Sequence, residues 1–309
     1  MRTLWLGVLG TLVFGVSMVA CGEEEKASTG TSTTTSSGAG ATSGGGGASS
    51  SSTGGSTAGS GGEGATGGGA TGCAAGDYLL CDDFEGDAPG SAPTAKGWQV
   101  VQNNGATSSV DDQRSHGGQH AVHFVTPSGP TVNFLTTKAI FPVAAPGMYG
   151  RLHYYVKGPA PVPNNTGVIH SDIVELEGAD PNHGNTRDLI RWGHIYNKFS
   201  NKLTLLWNFE KRPRPAGFNE IGIDDDMDVT TDQWHCLTWR HQQEGPASQL
   251  WHDGEERMNV TSADHAEPYP AFNQLNIGWT LYQSFDGGPY EVWIDDVVVD
   301  DEPLTCDQP

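Results

Sequence analysis

Tyr290-Glu291-Val292-Trp293-Ile294-Asp295-Asp296-Val297-Val298-Val299 is the stretch from which the fold can be read. Its β-branched and aromatic residues suit a pleated, half-buried strand, and Asp286-Gly287-Gly288-Pro289 breaks the chain just before it. Working outward, segments of the same character lie at 79–84, 120–125, 149–156, 169–176, 203–209, 234–240, 249–252 and 272–277. Turn residues separate them; the Asp253-Gly254 pair that follows Trp251-His252 suits a tight hairpin. No long helical period interrupts the series, although residues 263–266 allow one helical turn. This pattern predicts an all-β, antiparallel jelly-roll sandwich over residues 73–309, a length that one β domain commonly reaches.

The segment before that domain reads differently. Arg2 precedes an apolar run over residues 4–16, too short to span a bilayer, and small residues close the run at Val19-Ala20. Residues 1–20 therefore read as a secretory signal peptide. Met18-Val19-Ala20-Cys21 resembles the lipobox of bacterial lipoproteins, with Met18 where Leu is usual; the resemblance implies acylation of Cys21. Residues 27–72 are almost wholly Ser, Thr, Gly and Ala, too poor in apolar surface to offset the entropy of ordering. Residues 21–72 are thus expected to be a disordered, lipid-anchored tether with a reach on the order of 40 Å. Gly22 follows Cys21 where an inner-membrane retention signal would place Asp, so the expected location is the outer membrane or cell surface. The membrane is expected as a partner only through this anchor.

A formal net charge of −21 argues against nucleic acid as a partner, because such a domain is repelled by polyanions. Cys73, Cys81, Cys236 and Cys306 form an even set in an exported chain and read as two disulfides. Three connectivities are possible; short separation favours Cys73 with Cys81, which leaves Cys236 with Cys306. No CxxC or CxxH spacing supports a zinc site among them.

Two segments bookend the domain: Cys81-Asp82-Asp83-Phe84-Glu85-Gly86 and Trp293-Ile294-Asp295-Asp296-Val297-Val298-Val299, with Ser115-His116-Gly117-Gly118-Gln119-His120-Ala121-Val122 between them. Their order resembles the concanavalin A-like lectin and glucanase jelly rolls. Gly150-Arg151-Leu152-His153-Tyr154-Tyr155-Val156, Ile169-His170, Trp234-His235-Cys236-Leu237 and Leu250-Trp251-His252-Asp253-Gly254 narrow the likeness. The set is similar to the cellulase-induced fungal secreted protein and its glucuronan and alginate lyase-like relatives. That resemblance implies neighbouring first and last strands that share a structural calcium ion. Its ligands here would be Glu85, carbonyls of the Ser115–Gly118 turn, and Asp295, an oxygen set of the kind calcium prefers.

The resemblance also implies a function: action on extracellular polysaccharide, as a β-eliminating lyase of uronate-containing glycans. A lyase neutralises a uronate carboxylate, removes the C5 proton and protonates the leaving oxygen. Arg151, His170, Arg191 and Tyr282 are the expected catalytic residues, with His153, Tyr155, Asn208, Gln274 and Asn276 lining the same cleft. The alternatives are a non-catalytic carbohydrate-binding module and a structural cell-surface domain; a monomer is expected. Glycoside hydrolysis is disfavoured, because simple alternation puts Asp172 on the opposite strand face from Glu175 and Glu177.

Overall fold

The computed structural model describes residue 73 and residues 76–308, apart from 144–146, 165–166, 181–185, 212–218, 244 and 262–268. The signal segment, Cys21, the tether and the turn at 263–266 lie outside the described residues. Among those described there is no helix. The chain forms β1 (Leu80–Asp82), β2 (Gln99–Gln102), β3 (Thr107–Asp111), β4 (Ala121–Thr126), β5 (Asn133–Thr137) and β6 (Met148–Val156). Then come β7 (Val162–Pro163), β8 (Val168–Asp180), β9 (Thr186–Asn197), β10 (Lys202–Lys211) and β11 (Asn219–Asp224). The last are β12 (Trp234–Gln242), β13 (Ala247–His252), β14 (Glu255–Thr261), β15 (Ala271–Leu281), β16 (Phe285–Asp286) and β17 (Tyr290–Asp300).

Eight strands make one sheet in the order β14-β13-β12-β6-β17-β4-β3, with β1 paired to β17. Seven make the other, in the order β11-β10-β9-β8-β15-β5-β2. The first and last strands are antiparallel neighbours, Leu80 opposite Val299 and Asp82 opposite Val297. Between the sheets, Leu152, Tyr154, Leu237, Trp239, Val292 and Ile294 meet Leu176, Ile190, Trp192, Leu205, Phe209 and Ile277 in one buried cluster. At about 1.5–3 kcal/mol per fully buried large apolar side chain, this interface dominates the stability. Trp192, Trp207, Trp239 and Trp279 are all buried and belong to this core, so none of the four is a sugar platform. Gly150 lies opposite Trp239 on the neighbouring strand, and a Cβ there would fall 2.0 Å from the indole.

Cys73 is bonded to Cys81 and Cys236 to Cys306. The second bond fastens the C-terminal tail beside β6, where the Arg151 guanidinium donates to Thr305 O at 3.2 Å and Gln308 O at 2.5 Å. The hairpin expected at Asp253-Gly254 joins β13 to β14, both residues taking positive φ (51° and 82°).

One irregularity positions the functional face. In the β8–β9 pairing Asp172 faces Gly193 but Val174 faces Trp192, so Ile173 is an extra residue on β8. This β-bulge reverses the alternation: Ile173 and Val174 both turn into the core, while Asp172, Glu175 and Glu177 share the outer face. The sequence expectation that Asp172 stands apart from the two glutamates is therefore corrected. Gly193 is what admits the bulge, because a Cβ there would lie 1.8 Å from Ser171 O.

Candidate functional site

The outer face of the seven-stranded sheet carries a cross-strand row of polar side chains. Asn208, Arg191, Glu175, Asn276 and Thr136 are successive register partners across β10, β9, β8, β15 and β5. Each is bonded to the next. Arg191 Nη1 donates to Asn208 Oδ1 at 2.6 Å and Nε to Glu175 Oε2 at 2.7 Å. Asn276 Nδ2 donates to Glu175 Oε1 at 2.8 Å, and Thr136 Oγ1 donates to Asn276 Oδ1 at 2.8 Å. Such direct cross-strand pairs are the basic unit of sheet stabilisation.

Arg191 is the hub. Its guanidinium also reaches Asp172 Oδ2 at 3.1 Å and Glu210 Oε2 at 2.9 Å, so three carboxylates share one buried cation. Glu177 is held by Arg187 Nε at 2.6 Å, Gln274 Nε2 at 2.7 Å and Asn276 Nδ2 at 2.8 Å. Burial raises the Asp172 carboxyl above the usual carboxylate range, over the opposing pull of Arg191. Its Oδ2 accepts the Tyr282 hydroxyl, whose phenol burial pushes well above its ordinary value. His170 sits beside them: Tyr282 N–H donates to His170 O at 3.1 Å, and burial lowers the imidazole pKa and keeps the ring neutral. Tyr282 is 36% exposed and the Arg187 side chain 51%. With the half-buried His170 and Gln274, they are the solvent-reaching groups over the buried acids.

The predicted residues thus separate into two groups. His170, Arg191, Tyr282, Asn208, Gln274 and Asn276 come together on the seven-stranded sheet. Arg151, His153 and Tyr155 share a face of β6 as alternation predicts, but β6 belongs to the eight-stranded sheet. They do not line the same cleft. Tyr155 packs edge-on against Trp293 and Trp234 beneath the Arg114 guanidinium, and its hydroxyl donates to Asp232 at 3.1 Å. Arg151 and His153 line a pocket of about 330 Å³ with Asp83, Glu85, His116 and Asp296.

Beside that pocket the bookends meet the 115–120 turn. Glu85 Oε1 accepts the amides of Gln119 (2.5 Å) and His120 (2.8 Å). Asp295 Oδ2 accepts those of His116 (2.8 Å) and Gly117 (3.2 Å), and Oδ1 that of Asp296 (2.8 Å). Ser115 Oγ donates to Gly118 O at 3.3 Å across the turn. Asp295 is fully buried; burial, with the adjacent Asp296 carboxylate, pushes it up to about 8. No ion pair relieves it among the described residues.

Sequence reasoning missed Asp172, Glu175, Glu177, Arg187 and Glu210 as one network. The rows of register partners that join them form only when β8 bulges.

The paired terminal strands and two antiparallel sheets define a concanavalin A-like jelly roll. Among solved structures, the endo-β-1,4-glucuronan lyase from the fungus Trichoderma reesei superposes with a TM-score of 0.55 at 13% identity, over 75% of this chain and 100% of that one. The cellulose-induced protein Cip1 gives 0.49 at 18% identity, over 74% and 99%. An endo-1,3-β-glucanase from Streptomyces sioyaensis gives 0.46 at 14% identity, over 72% and 95%. At such identities the likeness is one of fold. No family model matches the sequence, and no curated protein matches it.

Proposed function

We propose that this chain is an exported surface lipoprotein whose jelly roll binds extracellular polysaccharide across the outer face of the seven-stranded sheet, without cleaving it. The observation that carries this reading is the engagement of Arg191 by Asp172, Glu175 and Glu210. A lyase needs a cation or amide free to neutralise a uronate; Arg191 is held by three carboxylates, Arg151 lies on the other sheet, and Arg187 and Gln274 are both bonded to Glu177. Four acids against Arg187 and Arg191 leave the face net negative, which favours a neutral glycan over a polyuronate. The solvent-reaching parts of Gln274, Arg187 and Tyr282 would supply the remaining hydrogen-bonding capacity and a stacking ring for sugar hydroxyls and rings.

A second reading, the β-eliminating lyase, rests on the main-chain pairing of Tyr282 with His170, which brings the two residues to the same end of the sheet. A neutral imidazole takes a proton and a protonated phenol gives one. Incubation with glucuronan, alginate and neutral β-glucans separates the two. Binding without absorbance from an unsaturated product supports the first. Absorbance that is abolished by His170→Ala and by Tyr282→Phe supports the second.

A structural calcium ion belongs to the same proposal. It would be held by Glu85, Asp295 and the carbonyls of Ser115 and Gly118. The support is the convergence of both acids on one turn and the buried Asp295 without an ion-pair partner. In the structure the turn directs amide N–H groups at both carboxylates, which already compensates part of their charge. The anchor is tested separately: Cys21→Ser should move the protein from the membrane to the soluble fraction, and unchanged fractionation would reject it.

A further inference from the structure

Two clusters outside the Arg191 face combine two histidines with one aspartate: His116, His153 and Asp296, and His235, His252 and Asp253. Their geometries differ. The His116 and His153 rings stack with centroids 3.5 Å apart and planes 7° from parallel. A metal bound at an imidazole nitrogen lies in the ring plane, so two stacked parallel rings cannot both direct a lone pair at one ion. The His235 and His252 rings stand 4.7 Å apart at 39°. Their Nδ1 atoms converge on one oxygen: Asp253 Oδ2 is 2.8 Å from His235 Nδ1 and 3.3 Å from His252 Nδ1.

The outward nitrogens are already placed as those of metal-bound histidines are. His235 Nε2 lies 2.8 Å from the carbonyl oxygen of Thr230, with the Thr230 hydroxyl and the Gln233 amide nitrogen at 3.5 Å. His252 Nε2 lies 2.8 Å from the Tyr154 hydroxyl, which in turn meets His194 Nε2 at 3.0 Å. A ligating histidine nearly always turns its second nitrogen to such a partner, fixing the tautomer. Because a carbonyl only accepts, the 2.8 Å contact assigns the His235 proton to Nε2. Nδ1 then points its lone pair at Asp253 Oδ2, which also only accepts. Two acceptors 2.8 Å apart require a proton or a metal ion between them.

The donors are rigidly held. His235 and His252 are buried at 3% and 4% exposure on the paired strands β12 and β13. Asp253 occupies the left-handed first position of the hairpin (φ 51°), and its Oδ1 accepts Cys236 N–H at 2.8 Å. The side chain is 49% exposed, which leaves the open side of the site to solvent. Zinc takes His nitrogen at about 2.0–2.1 Å and carboxylate oxygen at about 2.0–2.2 Å in a tetrahedron. Ligand atoms then stand roughly 3.3 Å apart, so the present contacts need to open only slightly.

We propose that His235, His252 and Asp253 form a surface site for a divalent transition-metal ion of the zinc class, with a solvent-facing fourth position. Two imidazoles and one carboxylate select such an ion over calcium, which prefers an all-oxygen shell. The site lies apart from the turn proposed to hold calcium.

The test is a calorimetric titration of Zn2+ into the full chain carrying Cys21→Ser, which removes the one cysteine outside the disulfides. The expected result is one Zn2+ per chain, unaffected by excess Ca2+ and retained by His116→Ala. His252→Ala and Asp253→Asn should each weaken it by at least about tenfold. Absence of stoichiometric binding, or binding that survives both substitutions, overturns the proposal. Should the variants fail to fold, 15N spectra of the unaltered site decide. A metal-shifted His235 Nδ1 supports the site, and a doubly protonated imidazolium that persists with equimolar Zn2+ rejects it.

Discussion

The two sheets carry their charges differently. On the seven-stranded sheet every acid of the Arg191 network is met by a guanidinium or an amide: Arg191 holds Asp172, Glu175 and Glu210, and Arg187 holds Glu177. On the eight-stranded sheet, Glu85 and Asp295 face backbone amides, and Asp253 and Asp296 face imidazoles. The first arrangement is closed and supplies its own cations. The second meets its acids with backbone dipoles and imidazoles in place of guanidinium groups. One jelly roll thus carries a self-paired charge network on one sheet and acids met by amides and imidazoles on the other.

The largest effect that tests this contrast is the loss of Arg191. Arg191→Leu strands several buried carboxylates and should destabilise the fold by about 3–5 kcal/mol. Arg151→Leu on the other sheet removes donors to Thr305 O and Gln308 O and should cost less, about 1–3 kcal/mol. Urea denaturation of the two variants provides the comparison; equal losses would show that Arg191 is not a hub.

Next is the bulge. Gly193→Ala puts a methyl against Ser171 O and should cost about 1–3 kcal/mol. If the variant folds, Asp172 loses its place beside Arg191 and glycan affinity falls.

The proton-dependent side responds to pH. Asp295 is raised to about 8 in the fold from an ordinary carboxylate value, so the folded state binds the extra proton between pH 4 and 8. Stability from this group is full below pH 4 and is lost as pH rises through 8. With chelator present, the wild type should lose melting temperature over that window relative to Asp295→Asn. If calcium binds there, its stabilisation should grow over the same window, reaching about 2.7 kcal/mol at a hundredfold excess over Kd. The smallest expected effect is that of Tyr282→Phe, which removes one hydroxyl bond to Asp172 and costs roughly 1 kcal/mol.

Strand positions were legible wherever apolar residues dominate both faces, as in β6, β12 and β17. β9 escaped because Arg187, Asp188, Arg191 and His194 make it look polar; the arginines find their partners on β8 and β10, and His194 meets Tyr154 of β6, only after folding. β14 begins Glu255-Glu256-Arg257 and reads as a loop, yet it closes an edge by pairing with β13. His170, Arg191 and Tyr282 were named from the resemblance and from residue type, and the fold carries all three on the seven-stranded sheet or at its end. The grouping of Asp172 with Glu175 was not, because β8 carries no glycine at the bulge itself, its one glycine being Gly178 beyond Glu177; the permissive glycine, Gly193, is on the neighbouring strand. His235 and His252 stood out as parts of short motifs, but only the β12–β13 register brings them onto Asp253.

The location of the glycan is the most direct test. Affinity of the purified full chain for neutral β-glucans should fall several-fold in Tyr282→Ala and Gln274→Ala and stay unchanged in His153→Ala, with no unsaturated product from any polymer. Binding lost with His153→Ala but untouched by Tyr282→Ala and Gln274→Ala would contradict the assignment of the seven-stranded face.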